Sequence, residues 1–274
     1  ITVRSTDPTN PATILATIIN GGGLDTVVTC DSGEGADTVL SGLLITNGFA
    51  EFDGGGMFND NGSSPTVSNC AFSLNSAEQS GGGMFNDNGS SPTVTNSTFS
   101  ENIANEIGGG GGGMANANSS PTVTNCTFSG NTADVVFGKS GGMYNTNSSP
   151  TVTNCTFSGN SGWSGGGMTN NGRSFPTVTN CTFSGNTAIT TGGGMLNVNT
   201  IATLTSSVFC RNTPDQLMGS YDDAGGDNAF SDDHCVPMPP VEPESDCDGA
   251  DLNGDGIVDP LDAGFVLARF GCEG

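Results

Sequence analysis

Between Gly54 and Phe209 the apolar positions recur in one arrangement, written six times. A Gly-rich run ends in Met at Met57, Met84, Met114, Met143, Met168 and Met195, and a Phe closes each copy at Phe72, Phe99, Phe128, Phe157, Phe183 and Phe209. The Phe positions lie 26 to 29 residues apart, a period that belongs to solenoids, propellers or arrays. In Pro150-Thr-Val-Thr-Asn-Cys-Thr-Phe157 the apolar residues are Val152, Cys155 and Phe157. A straight strand keeps one face inward at every second residue, yet Val152 and Cys155 are three apart. The chain must therefore turn a corner between them. Asn154 sits at that corner, and Asn tolerates the left-handed conformation better than other residues with a side chain. Asn69, Asn96, Asn125, Asn180 and Ser206 hold the same place. Each copy thus predicts a strand through Met, a strand through Val, a two-residue bend, and a strand through Cys and Phe. This is the plan of an all-β, right-handed parallel β-helix, with Met stacked on Met, Val on Val, Phe on Phe and Asn on Asn.

The wording Gly-Gly-Gly-Met and Ser-Ser-Pro-Thr-Val-Thr-Asn-Cys-Thr-Phe-Ser-Gly-Asn resembles the β-helix repeats of large secreted and surface proteins of environmental bacteria, planctomycete-like ones especially. The resemblance covers roughly residues 1 to 212 and implies a fold shared with pectate lyases and polymorphic outer-membrane proteins. That fold hosts lyases, hydrolases, adhesins and passive stalks, so it implies no single activity.

Residues 1 to 50 lack the repeat wording but fit its spacing. Stepping 27 residues back from Phe72 gives Ile45, then Ile18; the same step from Met57 gives Cys30, then Val3. Leu40 takes the Val67 place and Gly42 the Asn69 corner. Eight coils result, a rod of roughly 40 Å at the strand spacing of about 4.8 Å. Ile1 and Val3 already belong to the first coil, with no capping helix ahead of them. An open first coil exposes unpaired strand edges. Either a cap was removed or another molecule covers the end, and a contact of the second kind that does not close builds a filament.

Composition adds exclusions. Net charge is −23 with only five Lys and Arg, which excludes nucleic acid, whose binding rests on cations meeting phosphates. No apolar run reaches membrane-spanning length. No signal-peptide pattern opens the sequence, which reads as a mature or trimmed chain. Apolar content is 33%, suited to a narrow coil with a Ser, Thr, Asn and Gly exterior.

The cysteines form two sets. Cys70, Cys126, Cys155 and Cys181 hold one inward position, with Ser97 and Ser207 as substitutes, and predict a buried ladder of free thiols; Cys30, at a Met place, reads alike. Cys210, Cys235, Cys247 and Cys272 lie at or past the end of the repeats. Pairing Cys210 with Cys235 and Cys247 with Cys272 is one of three connectivities, and such bridges place the chain outside the cell. Asn-x-Ser/Thr triplets abound. Those at Asn96, Asn125, Asn154 and Asn180 are explained by the corner, whereas Asn61, Asn88, Asn118 and Asn147 stay open as glycosylation sites. Trp163, in one of the variable stretches between Phe and the next Gly run, either stacks on a sugar or folds over the coil. Asp60 and Asp87 share a register in adjacent coils, where stacked carboxylates perturb each other or take a cation. Lyases of this fold pair an Arg or Lys with calcium-binding Asp residues, and the related hydrolases use an Asp cluster. Neither set is found, and the single His234 lies beyond the repeats.

Residues 213–235 read as a closing loop, 236–246 as a Pro-rich linker, and 247–274 as a separate module. There Asp251, Asn253, Asp255, Asp259 and Asp262 place oxygens at positions 1, 3, 5, 9 and 12 of a calcium loop. Gly256 stands at the sharp turn and Ile257 offers its carbonyl. This EF-hand-like stretch, Asp251 to Gly271, resembles a dockerin repeat, which implies an anchoring or assembly role and Ca2+ as the cofactor. The expected protein is an extracellular structural rod that self-associates head to tail or anchors to a surface, with glycans as further partners. A dockerin-tagged polysaccharide lyase or hydrolase, or a glycan-binding adhesin, is the alternative.

Overall fold

In a computed structural model, residues 1–105, 109–133, 139–232 and Cys235 are described. They form an all-β, right-handed parallel solenoid of about seven turns. The linker at 236–246 and the module at 247–274 lie outside the described residues.

Each repeat builds four short strands, one more than its apolar pattern predicts. One turn runs Met143–Thr146, Thr151–Thr153, Thr156–Ser158 and Ser161–Gly162. It pairs in register with the next turn, Met143 on Met168, Val152 on Val178, Phe157 on Phe183 and Ser161 on Thr187. Among the described residues the Met and Val stacks merge into one fifteen-stranded sheet, because Met195–Thr205 runs through both. The Phe stack has nine strands and the fourth stack six. Strands of the fourth stack are two residues long and sit where the sequence varies most, so they read as loop. Their inward residues, Ala77, Ala104, Ala133 and Ala188, are nevertheless buried.

The spacing rule slips in the first turns. Ile19, not Ile18, stands under Ile45; Val28, not Cys30, stands under Met57; Val3 pairs with Leu40 in the Val column. Cys30 pairs with Asn59 instead. The step between turns is not constant here: 26 residues from Ile19 to Ile45, 29 from Val28 to Met57 and 37 from Val3 to Leu40. The longest of these intervals holds a helix, Pro11–Ala16, capped by the Asn10 side chain on the Ala12 amide and opened by Pro11. Leu40 on Val67 and Gly42 at the corner (φ +68°) do match expectation. The sequence predicts eight coils, whereas the solenoid has about seven turns: the eight Phe-column strands from Ile18–Asn20 to Val208–Cys210 are seven steps apart. Within 213–235, expected as a loop, Leu217–Asp223 and Ala229–Ser231 continue the stacks, and Phe230 lies 5.1 Å from Phe209.

The core is a set of single-residue columns. From Phe72 to Phe209 the rings stack at 4.6–4.8 Å with planes 1–4° apart. Ordinary sheets rotate about 20–25° from strand to strand; this stack is nearly untwisted. Gly fills the approach to each Met because successive backbones come too close for a side chain: a Cβ on Gly142 would strike the carbonyl oxygen of Gly167.

Two columns of buried Asn accompany the apolar ones. Asn75, Asn102, Asn131, Asn160, Asn186 and Asn212 form the first, each three residues past its turn's Phe. Asn131 Nδ2 donates to the Phe99 carbonyl at 2.9 Å and to Asn160 Oδ1 at 2.9 Å, and its backbone N–H donates to the same oxygen at 3.0 Å. Asn59, Asn86, Asn116, Asn145, Asn170 and Asn197 form the second, linked Nδ2 to Oδ1 at 2.7–2.8 Å. Buried amides satisfied in series stiffen a core that apolar packing alone leaves free to slide. The expected corner column is present as well: Asn96, Asn125, Asn154 and Asn180 have φ of 48–55° and link side chain to side chain at 2.7–3.1 Å on the surface.

Candidate functional site

The outward residues of the Met strands form a column of their own, Phe58, Phe85, Ala115 and Tyr144, in register turn by turn. Phe58 and Phe85 stack at 5.9 Å. Phe85, Ala115 and Tyr144 are buried although they stand on the outward side of their strands, with Phe58 and Ala117 packed against them. Lys139 Nζ donates to the Tyr144 hydroxyl at 3.0 Å and lies 5.0 Å from its ring centroid, a cation–π contact. Asn171 Nδ2 donates to the same oxygen at 3.4 Å.

At the low-numbered end of this column a cleft of about 520 Å³ opens, lined by Asp25, Glu51, Phe52, Asp53 and Phe58 among others. Phe52 is 66% exposed. Asp53 accepts from the Ser80 amide at 2.8 Å, which fixes its carboxylate. Exposed aromatic faces beside hydrogen-bond acceptors can take a ligand with apolar faces and many hydroxyls. Sequence reasoning missed this place. Phe58 reads as the exposed neighbour of Met57, and Asp25, Glu51 and Asp53 come from two turns that carry no repeat wording.

The Asp60 and Asp87 pair is laced with amides rather than left open. Asp60 Oδ1 accepts from the Asn61 backbone N–H at 2.7 Å and from Asn88 Nδ2 at 2.7 Å. Asp87 Oδ1 accepts from the Asn88 backbone N–H at 2.6 Å and from Asn118 Nδ2 at 3.4 Å. Among the described residues no group of three or more His, Cys, Asp or Glu is placed to hold a metal ion. Asn61, Asn88, Asn118 and Asn147 are all exposed, at φ of 50–56°, one per turn. Trp163 is half-buried, and its carbonyl accepts from the Thr190 amide at 2.9 Å. His234, Cys247, Cys272 and the calcium-loop residues Asp251, Asn253, Asp255, Ile257, Asp259 and Asp262 lie outside the described residues.

Cys210 and Cys235 are joined by a disulfide, with Cα atoms 5.2 Å apart. Cys30, Cys70, Cys126, Cys155 and Cys181 are free and buried. The Cys126 and Cys155 amides donate to the sulfur one turn on at 3.4 Å. Burial pushes the Cys70 thiol up. The hydrogen bonds with Cys155, then burial, push Cys126 and Cys181 up. Burial first, then Glu34 and Asp31, push Cys30 up to about 11. These thiols are raised above the unfolded value of about 8.5, so their contribution to stability is intact below that pH. It falls as pH rises through 8.5 toward 11. The native protein is expected not to react with Ellman's reagent at pH 8. In denaturant without reductant five thiols should appear if Cys247–Cys272 is closed, and two more if it is open. Rapid labelling of native protein would show that the column is not sealed.

Neither a curated protein nor a solved structure matches the chain. The family model for the right handed beta helix region matches residues 35–209, from the end of the irregular first turns to the last repeated Phe. That family holds both pectate-lyase-like enzymes and proteins without activity. By this match, and by the stacked parallel strands beneath it, the chain belongs to the right-handed β-helix family.

Proposed function

We propose that the chain is an extracellular structural rod that self-associates end to end, with its C-terminal module as a calcium-stabilised contact. The observation that carries this reading is the continuity of the inward columns. Phe, Met, Val and two Asn files pass through the repeated turns without interruption. Such a stack resists bending and shear at every turn, because each repeat bonds only to its neighbours and does so identically. The Cys210–Cys235 bridge supports an oxidising compartment. For the calcium loop the support is the donor set alone, five oxygen side chains and one carbonyl at the spacing calcium requires. Calcium there would neutralise carboxylates that otherwise repel one another. N-linked sugar at Asn61, Asn88, Asn118 or Asn147 fits the same exterior.

The test is sedimentation and negative-stain microscopy of the full chain over a concentration series, with calcium and with EGTA. Elongated oligomers that shorten when calcium is removed are expected. A monomer at every concentration, indifferent to EGTA, would overturn both self-association and calcium control.

The cleft at Phe52 and Phe58 favours a second reading, a glycan-binding or glycan-cleaving β-helix. Incubation with pectin and alginate, followed for new unsaturated or reducing ends and for retention of the protein, decides it.

A further inference from the structure

The Val strands turn their other side outward, and that side is nearly all threonine. Thr93 and Thr95 flank Val94, and the pattern repeats as Thr122 and Thr124, Thr151 and Thr153, Thr177 and Thr179, and Thr203 and Thr205 about Leu204. Thr66 and Ser68 stand one turn before. Register pairing puts these residues in two straight files. Along the axis the step is one turn, which the stacked Phe rings set at 4.6–4.8 Å. Across the face the two files stand two residues apart along a strand, about 6.6–6.8 Å. Six rungs therefore carry a rectangular grid of hydroxyl and methyl groups, and no side chain on it is charged.

Three features set this grid apart from a merely soluble sheet surface. Its turns wind little: ring planes in the Phe column of the same turns rotate by only 1–4° per rung, so positional error does not accumulate along the file as it would in a sheet of ordinary twist. It is stiff, because a β-branched side chain is restricted at χ1 and the Val or Leu between each pair is fully buried. It is unspent: the hydroxyls of Thr93, Thr95, Thr122, Thr124, Thr151, Thr153, Thr177 and Thr179 have no hydrogen-bond partner among the described residues. Strand preference alone does not require this pattern. The neighbouring Phe strands are just as regular yet put Ser in their second outward file, at Ser100, Ser129, Ser158 and Ser184.

We infer that the Thr-Val-Thr face is an ice-binding surface. The oxygen rows of ordinary hexagonal ice repeat along its a and c axes at spacings close to the two spacings of this grid. Hydroxyls at those intervals hold water where a lattice oxygen belongs, and the intervening methyl groups leave no site for water that would compete. Each water-mediated contact nets little once the ordering of its water is counted. Release requires all rungs to let go together, which is how many weak contacts on one rigid frame add up. This inference stands apart from the rod reading and does not depend on the C-terminal module.

The test is partition of the full chain into slowly growing ice, beside measurement of the gap between melting and growth temperatures. The native chain should be enriched several-fold in the ice over a bland protein such as albumin, and it should facet ice crystals. Thr122→Lys with Thr151→Lys should fall to the albumin level with its circular dichroism unchanged. Thr187→Lys, on the fourth strand stack, should partition like the native chain. Exclusion of the native chain from ice overturns the inference, whatever the variants do. So does a folded double variant that still partitions as the native chain does, or retention on microcrystalline cellulose without any partition into ice.

Discussion

Phe128→Ala is expected to destabilise the chain by about 3–5 kcal/mol and to divide its unfolding into two transitions. Phe128 is fully buried, with Phe99 at 4.8 Å on one side and Phe157 at 4.7 Å on the other. Truncation removes the burial and both ring contacts, each worth about 0.5–1.5 kcal/mol beyond area. The parallel backbones on either side hold the gap open, so the cavity cannot collapse. In a solenoid, cohesion is a sum of nearest-neighbour terms, and weakening a middle interface uncouples the two halves. The single Trp163 lies in the later half, so its fluorescence follows that half while circular dichroism follows the whole. Urea curves from the two probes should coincide in the native chain and separate in the variant. Phe128→Leu, nearer in volume, should lose less. A Phe128→Ala chain with one coincident transition and a loss under about 1 kcal/mol would mean the ring column is not what holds the turns together.

Asn131→Leu should be comparably severe, although it replaces a polar core residue with an apolar one. Asn131 Oδ1 accepts from both the backbone N–H and the Nδ2 of Asn102, at 3.1 and 3.0 Å. Its own Nδ2 serves the Phe99 carbonyl and Asn160 Oδ1. Leucine orphans groups on both neighbouring turns, at about 1–3 kcal/mol for each buried group left unpaired. Asn131→Asp separates hydrogen bonding from shape. Its carboxyl accepts as the native amide does but must keep a proton to donate to Asn160. Its pKa in the folded state is therefore raised above the unfolded value of about 3.9. The variant's stability should be best below that pH and decline as pH rises through the folded value. Chemical denaturation of both variants between pH 3 and 8 checks this; a flat profile for Asn131→Asp would show that the column is not sealed from water.

The repeats could be read from the sequence because each inward file is one residue type. Met57 to Met195, Phe72 to Phe209, the thiols and the left-handed corner Asn all stand where their spacing puts them. The first turns misled, since counting fixed steps assumes constant turn length, and these turns take 26, 29 and 37 residues between paired positions, the longest holding the Pro11–Ala16 helix. The file from Asn75 to Asn212 was visible as an Asn three places after each Phe from Phe72 to Phe209. An amide is ordinarily read as surface or turn, and only coordinates reveal that successive turns satisfy it. The Phe52 cleft was less legible still. Its walls come from separate turns without a repeat, and no local pattern joins Asp25 to Glu51.

The buried amide files also give the molecule an arrow. In both, every Nδ2 gives one proton to the amide oxygen or carbonyl on its higher-numbered side; in the file from Asn75 the other goes back to the preceding turn's carbonyl. The last donors are received by the Ser220 carbonyl and by Gln216 Oε1, whereas the first acceptor, Asn59 Oδ1, is buried and unmet. The second file therefore begins on an unmet acceptor beneath the Val28–Cys30 strand and ends on a satisfied donor, whereas the first is met at both ends. Duplication of a whole repeat lengthens such a column without leaving an electrostatic seam.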